Sequence, residues 1–341
     1  MKNNTSAYKM LRTLLINIFA LNFVCSLCYA DEGGLSFWVP GFFGSLAAAP
    51  LQSGPSFTTL YYHSTLHAGK DIAFARQVTL GNIKSKLTSN VNLNLDAEAN
   101  LLFAIPSYTF KKKLLDGQAS VVLAIPYGRS KASANATVVG NLGFGSGFSL
   151  GSSKTDAVTN IGDVVPMFNI RWNKNSNNYL AYLAGNLPVG SYDAKRLANL
   201  GTNHNSIDSG LGYTYFDYAT GNEFSSVAGI TYNFENGRTQ YQNGVDMHVD
   251  LSASKFFNKK KQLGLVGYAY QQLSCDQGAD NFVGCFKSRV FGIGPQAGYL
   301  TQKGKTQIFM NVKGYQEFAA INRAHGWNLW LTLSLSPALS A

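Results

Sequence analysis

From Glu223 to Phe257 apolar and polar residues alternate one by one. Phe224, Ala228, Ile230, Tyr232 and Phe234 fall on one parity, and Glu223, Ser225, Gly229, Thr231 and Asn233 on the other. After the turn-rich Glu235–Arg238 the alternation returns, with Val245, Met247, Val249, Leu251 and Phe257 opposite Asp246, His248, Asp250, Ser252 and Ser254. Successive side chains of a strand point to opposite faces, so a period of two predicts β-strands. The pattern recurs at 57–64, 91–105, 117–130, 160–173, 178–189, 207–217, 262–274, 287–300, 306–318 and 326–336, which makes about twelve strands, an even number. The clearest run sets Val91, Leu93, Leu95, Ala97, Ala99, Leu101, Phe103 and Ile105 against Asn92, Asn94, Asp96, Glu98 and Asn100. It exceeds the ~9–11 residues of a tilted membrane strand, so its polar end is expected to project beyond a bilayer.

The connections fall into two kinds. Short, lysine- and asparagine-rich ones at 111–117, 173–178, 218–222, 258–261 and 301–306 alternate with generally longer ones near 66–88, 131–157, 190–206, 235–243, 275–286 and 319–325. Short turns on one side and long loops on the other predict an all-β fold, a transmembrane antiparallel up-and-down β-barrel over 55–337 with periplasmic turns and extracellular loops. The Gly/Ser-rich stretch 131–157 is expected to be one of those outer loops. A soluble β-sandwich has strands of the same period and is the competing architecture. The last strand, Gly326–Ser336, ends in Pro337–Ala341 rather than on the terminal aromatic usual in such barrels.

Composition separates the two. Charged residues are 13% of the chain, about half the ~25% of a typical soluble protein, while 22 Phe, 18 Tyr and 4 Trp accompany 34 Gly. Beyond residue 30 no apolar run approaches the ~20 residues of a spanning helix, so insertion would use strands. Residues 1–30 carry Lys2, Lys9 and Arg12, an apolar run from Leu14 to Cys28, and then Tyr29-Ala30 before Asp31-Glu32, the form of a secretory signal peptide cleaved after Ala30. Removing those three basic residues from 28 Lys+Arg leaves 25 against 18 Asp+Glu, a modest excess of 7. Export to the outer membrane of a Gram-negative cell is the expected localisation, with outer-membrane lipid and the barrel-assembly machinery as partners. The basic residues cluster in turns without interleaved aromatics, so no nucleic-acid role is expected.

Residues 31–54 break the alternation with five glycines and two prolines but carry Phe37, Trp38, Phe42 and Phe43. The segment either lies along the periplasmic face or enters the lumen as a plug, and the need to bury four aromatic rings favours the plug. Cys275 and Cys285, alone after signal cleavage, suggest a disulfide loop in an oxidising compartment, with two free thiols as the alternative. No third ligand at a familiar spacing points to a metal, and no cofactor is expected.

Two motifs resemble catalytic ones. Gly147-Phe-Ser-Leu-Gly151 has the nucleophile-elbow pattern without the following helix its chemistry requires. His204 and Ser206, two residues apart, match the spacing of an outer-membrane lipase in which the His takes the Ser proton, but no third partner or calcium cluster is assignable. The polar strand faces offer another constellation. Asp96, Glu98, Asn169, Arg171, Asp246, His248, Asp250, Arg289, Lys313 and Glu317 would line the lumen, where they could pair with one another or meet a solute.

Asp31–Ala48, Lys195–Asp208, Gly212-Tyr-Thr-Tyr215, Gly221-Asn-Glu-Phe224, Thr231–Asn236, Thr239–Gly244, Phe286–Val290, Gly292–Gln296 and Gly314–Phe318 give the chain a wider likeness. It resembles the outer-membrane transporters associated with the phenol meta-pathway and other hydrocarbon-degradation clusters, over nearly the whole mature length. The resemblance implies a passive, non-enzymatic channel that carries hydrophobic, often aromatic, small molecules past the lipopolysaccharide layer, with Phe37, Trp38, Phe42 and Phe43 as its gate. The alternatives are a barrel lipase using His204 and Ser206, and a surface adhesin or structural barrel that transports nothing.

Overall fold

The computed structural model describes residues 37–68, 91–141, 147–278, 285 and 287–338; the expected signal peptide lies outside them. The strands are β1 (Gly54–Ala68), β2 (Val91–Leu114), β3 (Gly117–Asn141), β4 (Gly147–Ile161), β5 (Val165–Lys174), β6 (Asn177–Asn186), β7 (Ser206–Phe216), β8 (Asn222–Asn233), β9 (Tyr241–Gln242), β10 (Asp246–Phe257), β11 (Lys261–Gln272), β12 (Gln277–Gly278), β13 (Arg289–Lys303), β14 (Thr306–Ile321) and β15 (His325–Pro337). No described helix is long and apolar enough to cross a membrane, a statement that does not bear on strands.

Every ladder is antiparallel, and the sheet closes. The order runs β2-β1-β15-β14-β13-β11-β10-β8-β7-β6-β5-β3, and β3 pairs back with β2, so twelve strands form a barrel without edges. β4 is a thirteenth element stacked end to end with β5 on the same neighbour. β3 pairs with β5 through Gln118–Ala124 and with β4 through Tyr127–Asn141. The stretch expected as an outer loop at 131–157 is therefore mostly the β3–β4 hairpin, and the strand expected at 160–173 is divided at Gly162–Val164. Asp163 makes the break. Its Oδ1 accepts the Gly190 N–H at 2.8 Å and its Oδ2 accepts from Asn186, the Thr202 N–H and the Thr202 hydroxyl at 2.7–3.0 Å, tying the connection after β6 to the kink.

The short turns form at one end of the barrel. Leu115 and Asp116 have φ of 50° and 59°, and Asn258 and Lys259 φ of 50° and 56°. Such left-handed pairs have the twist that a tight hairpin requires. The connection between β14 and β15 spans only Asn322–Ala324, shorter than expected for the opposite end. β5, β6, β7, β8, β10 and β11 have 10 to 12 residues each, a bilayer's worth, whereas β2 and β3 have 24 and 25 and rise beyond it.

The outer surface is a belt of apolar side chains that includes Leu102, Leu183, Leu211, Ile230, Leu251, Leu265 and Ile293. Leu211 is 70% exposed in the isolated chain, an arrangement that is stable only against lipid. On the inner side the polar parity of β8 and β10 is covered: Glu223, Asp246, His248 and Asp250 are all buried. In β2 the expected orientation is reversed. Phe103 and Ile105 are buried in the lumen, and Leu102, Tyr108 and Phe110 face outward. Both parities of β2 are apolar at bilayer height, so what fills the lumen, and not the alternation, decides which face turns in.

Candidate functional site: a plugged lumen

Residues 38–48 lie against the inner wall of the barrel, held by side chains that converge from opposite sides, and the chain reaches the exposed Leu51 before β1. Asp250 on β10 accepts the Gly41 and Phe43 N–H groups at 2.9 and 3.0 Å. Across the lumen the Lys313 ammonium on β14 donates to the carbonyls of Gly41 at 2.5 Å and Phe43 at 2.9 Å and lies over the rings of Tyr315 and Trp330. Glu223 accepts the Leu46 N–H at 3.0 Å, Thr214 accepts the Ala48 N–H at 3.0 Å, Arg171 donates to the Ala47 carbonyl at 3.3 Å, and Gln118 bonds both backbone groups of Leu51. A non-regular segment cannot enter a barrel with bare amide groups, because each unmade bond there costs about 1–3 kcal/mol. Charged and neutral side chains of the wall meet these groups together. Gly41 has φ +87°, and a Cβ there would come within 3.0 Å of the Tyr315 ring, so the turn that presents both of its amide groups to Asp250 and Lys313 requires glycine.

Trp38 is the most enclosed of the four aromatics. Its indole stacks on the His248 imidazole with centroids 3.9 Å apart and planes at 14°, and it lies beside Phe42, Phe43 and Tyr182. The imidazole is placed by a network from three strands. His248 Nε2 is 3.0 Å from Asp208 Oδ2 and 3.3 Å from the Tyr182 hydroxyl, and the Thr231 hydroxyl donates to the same carboxylate oxygen at 2.6 Å. Gly229 leaves the space for it, since a Cβ there would overlap both Tyr182 and His248. Phe42 touches two apolar clusters, one containing Trp330, Tyr315, Tyr268 and Val290 and the other Trp38, Leu180, Tyr182 and Val227.

Of the residues expected to line the lumen, Asn169, Arg171, Asp246, His248, Asp250, Lys313 and Glu317 face inward. Asp246 accepts from Asn233 at 2.9 Å, and Glu317 accepts from the Tyr268 hydroxyl at 2.6 Å and the Gly326 N–H at 2.8 Å. Three are elsewhere. Asp96 meets His67 at 2.6 Å on an exposed face of the extended sheet, and Glu98, also exposed, accepts from Asn100. β2 and β3 are longer there than a bilayer requires, which leaves polar side chains free to face outward. Arg289 shares the outward parity of β13 with Ile293, because Val290 and Ser288 take the inward places; its guanidinium lies over Phe291. Asp208 and Tyr182 do not stand out in the sequence, and the only local hint for Asp208 is its shared parity with Ser206 on β7.

Ser206 lies 3.3 Å from His204 Nδ1, but its hydroxyl donates to Asn233 at 2.8 Å, and His204 Nδ1 also meets the Asn205 carbonyl at 2.9 Å. Both side chains are buried. Ser149 lies in strand β4, not at a strand-to-helix turn. Among the described residues no cluster of His, Cys, Asp or Glu could hold a metal ion. Cys275 and Cys285 form a disulfide with Cα atoms 4.8 Å apart, next to the β9–β12 bridge.

The family described as MetA-pathway of phenol degradation matches residues 81–333. The chain belongs to this family. Its fold is also that of a crystallised outer membrane channel from Pseudomonas putida F1, which aligns over 89% of this chain and 100% of its own at 13% identity with a TM-score of 0.61. The CymD monoaromatic hydrocarbon channel aligns over 92% of this chain and 98% of its own at 7% identity, with a TM-score of 0.34 that is too low to bear on the argument. No curated protein matches the chain.

Proposed function

We propose that the protein is a passive outer-membrane channel for small hydrophobic, chiefly single-ring aromatic, molecules, and that residues 37–53 are its gate. The observation that carries this reading is the division of labour in the plug. Its backbone is held by Asp250, Lys313, Glu223 and Arg171, while the rings of Trp38, Phe42 and Phe43 stack on one another and on Tyr182 and His248. Such contacts are non-directional, so an entering aromatic ring can replace them with little loss, whereas a solute with no apolar face, such as a sugar or an inorganic ion, cannot. The lumen carboxylates offer nothing to an apolar solute and instead hold the plug. Family membership and the fold shared with an outer membrane channel support the same reading.

Export by residues 1–30, insertion by the barrel-assembly machinery and residence in the outer membrane belong to this proposal. The lipase alternative is disfavoured, because the Ser206 proton is directed to Asn233 and the pair is buried rather than set on the lipid-facing surface. Deleting residues 35–46 and recording planar-bilayer conductance together with uptake of a labelled aromatic tests the gate. Conductance is expected to rise and selectivity for aromatics to fall. Unchanged conductance and uptake would refute it.

A further inference from the structure

On the turn side of Phe42 and Phe43 the plug leaves a cavity of about 290 Å³ against the ends of β1, β2, β3, β5, β14 and β15. That volume is at the lower end of the ~300–1,000 Å³ of small-molecule sites, room for one aromatic ring with a polar substituent. Its ceiling is apolar, formed by Phe42, Phe43, Leu60 and Ile105. Its walls are mixed: Ser56, Ser107, Thr109, Ser120 and Ser334 bring hydroxyl groups, and Val122, Met167 and Phe309 bring apolar surface. The charged side chains in the lining are Arg171 and Lys313, with no carboxylate among them.

The two cations differ in their engagement. Lys313 is occupied by the plug carbonyls. Arg171 bonds only neutral acceptors, the Ser120 hydroxyl at 3.2 Å, the Asn169 side-chain oxygen and the Ala47 carbonyl, and its Nε is buried with no partner among the described residues. The lumen carboxylates of Asp208, Glu223 and Asp250 are bonded to His248, to the plug and to neighbouring hydroxyls. A half-buried guanidinium with neutral partners gains from an anion, and its fork geometry suits a carboxylate.

We infer that this chamber is a binding site for a single-ring aromatic carboxylate, with the ring under Phe42 and Phe43 and the carboxylate on Arg171 among the hydroxyl groups. The inference rests on the channel reading and extends its substrate class from neutral single-ring aromatics to those that carry one carboxylate on the same apolar ring.

The test uses the purified full-length mature chain in detergent, titrated calorimetrically with sodium benzoate and with benzamide, its neutral isostere. The same preparation is placed in planar bilayers. Benzoate is expected to bind at least about tenfold more tightly than benzamide, a difference of about 1.4 kcal/mol. Arg171→Gln is expected to bring the two affinities to parity, while Arg171→Lys retains most of the preference. Ser107→Glu, which puts a carboxylate into the chamber beside an unchanged Arg171, is expected to abolish benzoate binding and guards against a misfolded Arg171 variant. Equal wild-type affinities, or a benzoate preference that survives both Arg171→Gln and Ser107→Glu, would overturn the inference. A preparation that conducts without discriminating refutes the site and leaves the channel standing. One that binds benzoate yet passes neither current nor aromatic solute refutes the channel and leaves the site.

Discussion

Asp250 ties the plug to the wall through two backbone amides, and Asp250→Asn tests whether that tie keeps the lumen closed. The carboxylate is 2% exposed and accepts two plug amides at 2.9 and 3.0 Å. Asparagine offers one acceptor oxygen and turns an NH2 group toward the second amide, so one charge-assisted bond is lost and the other is weakened. Hydrogen bonds to charged groups contribute roughly 1.5–3 kcal/mol each, which puts the loss at about 2–4 kcal/mol of plug binding. At tenfold per 1.4 kcal/mol the unplugged population rises on the order of 30- to 1,000-fold. The assay is the fraction of time a single channel spends in its high-conductance state, with heat-modifiable gel mobility as the check that the barrel remains folded. A wild-type conductance record, with the amides of residues 41–46 equally protected from hydrogen exchange, would refute the reasoning.

Other substitutions address separate parts of the structure. Gly41→Ala places a Cβ against Tyr315 at a positive φ and should loosen the plug by about 1–2 kcal/mol, seen as more frequent channel opening; unchanged gating would mean that the turn is not under this constraint. Leu211→Arg, at the middle of β7 and facing lipid, should lower the unfolding free energy in lipid by about 2–4 kcal/mol, whereas Leu211→Gln should cost less; equal costs would argue against a lipid-facing Leu211. In the short turn between β7 and β8 the Thr220 hydroxyl, at 2.6 Å, and then the Ala219 N–H favour the charged form of Asp217 and hold its carboxyl below the usual value. Stability from this group is complete above its unfolded-state pKa and is lost as pH falls through the lower folded one. Thr220→Ala should move the Asp217 midpoint upward in a carboxyl NMR titration, and an unmoved midpoint would remove the hydroxyl from the explanation.

Much of the architecture was legible residue by residue. A period of two is a local property of the chain, so Phe224 to Phe234 and Val245 to Phe257 declared themselves as strands without reference to anything distant. Low charge, abundant aromatics and paired loop lengths then selected a barrel, and four aromatics in a Gly- and Pro-broken segment required burial somewhere. Alternation divides a strand into two faces but does not say which one turns inward. Where one face was polar at bilayer height, as in β10, lipid made the choice and Asp246, His248 and Asp250 went inside. Where both were apolar, as at Leu102 and Phe103 in β2, only the contents of the lumen could decide. Asp96, Glu98 and Arg289 were misplaced because polarity is free to face outward above the bilayer, and height is not written in the pattern. Only barrel closure brings Gly41 to Asp250 and Lys313, more than 200 residues away, or Tyr182 and Asp208 to His248. Which strands would exist was a matter of short-range chemistry; what the lumen charges hold was decided by which distant groups the closed sheet leaves face to face.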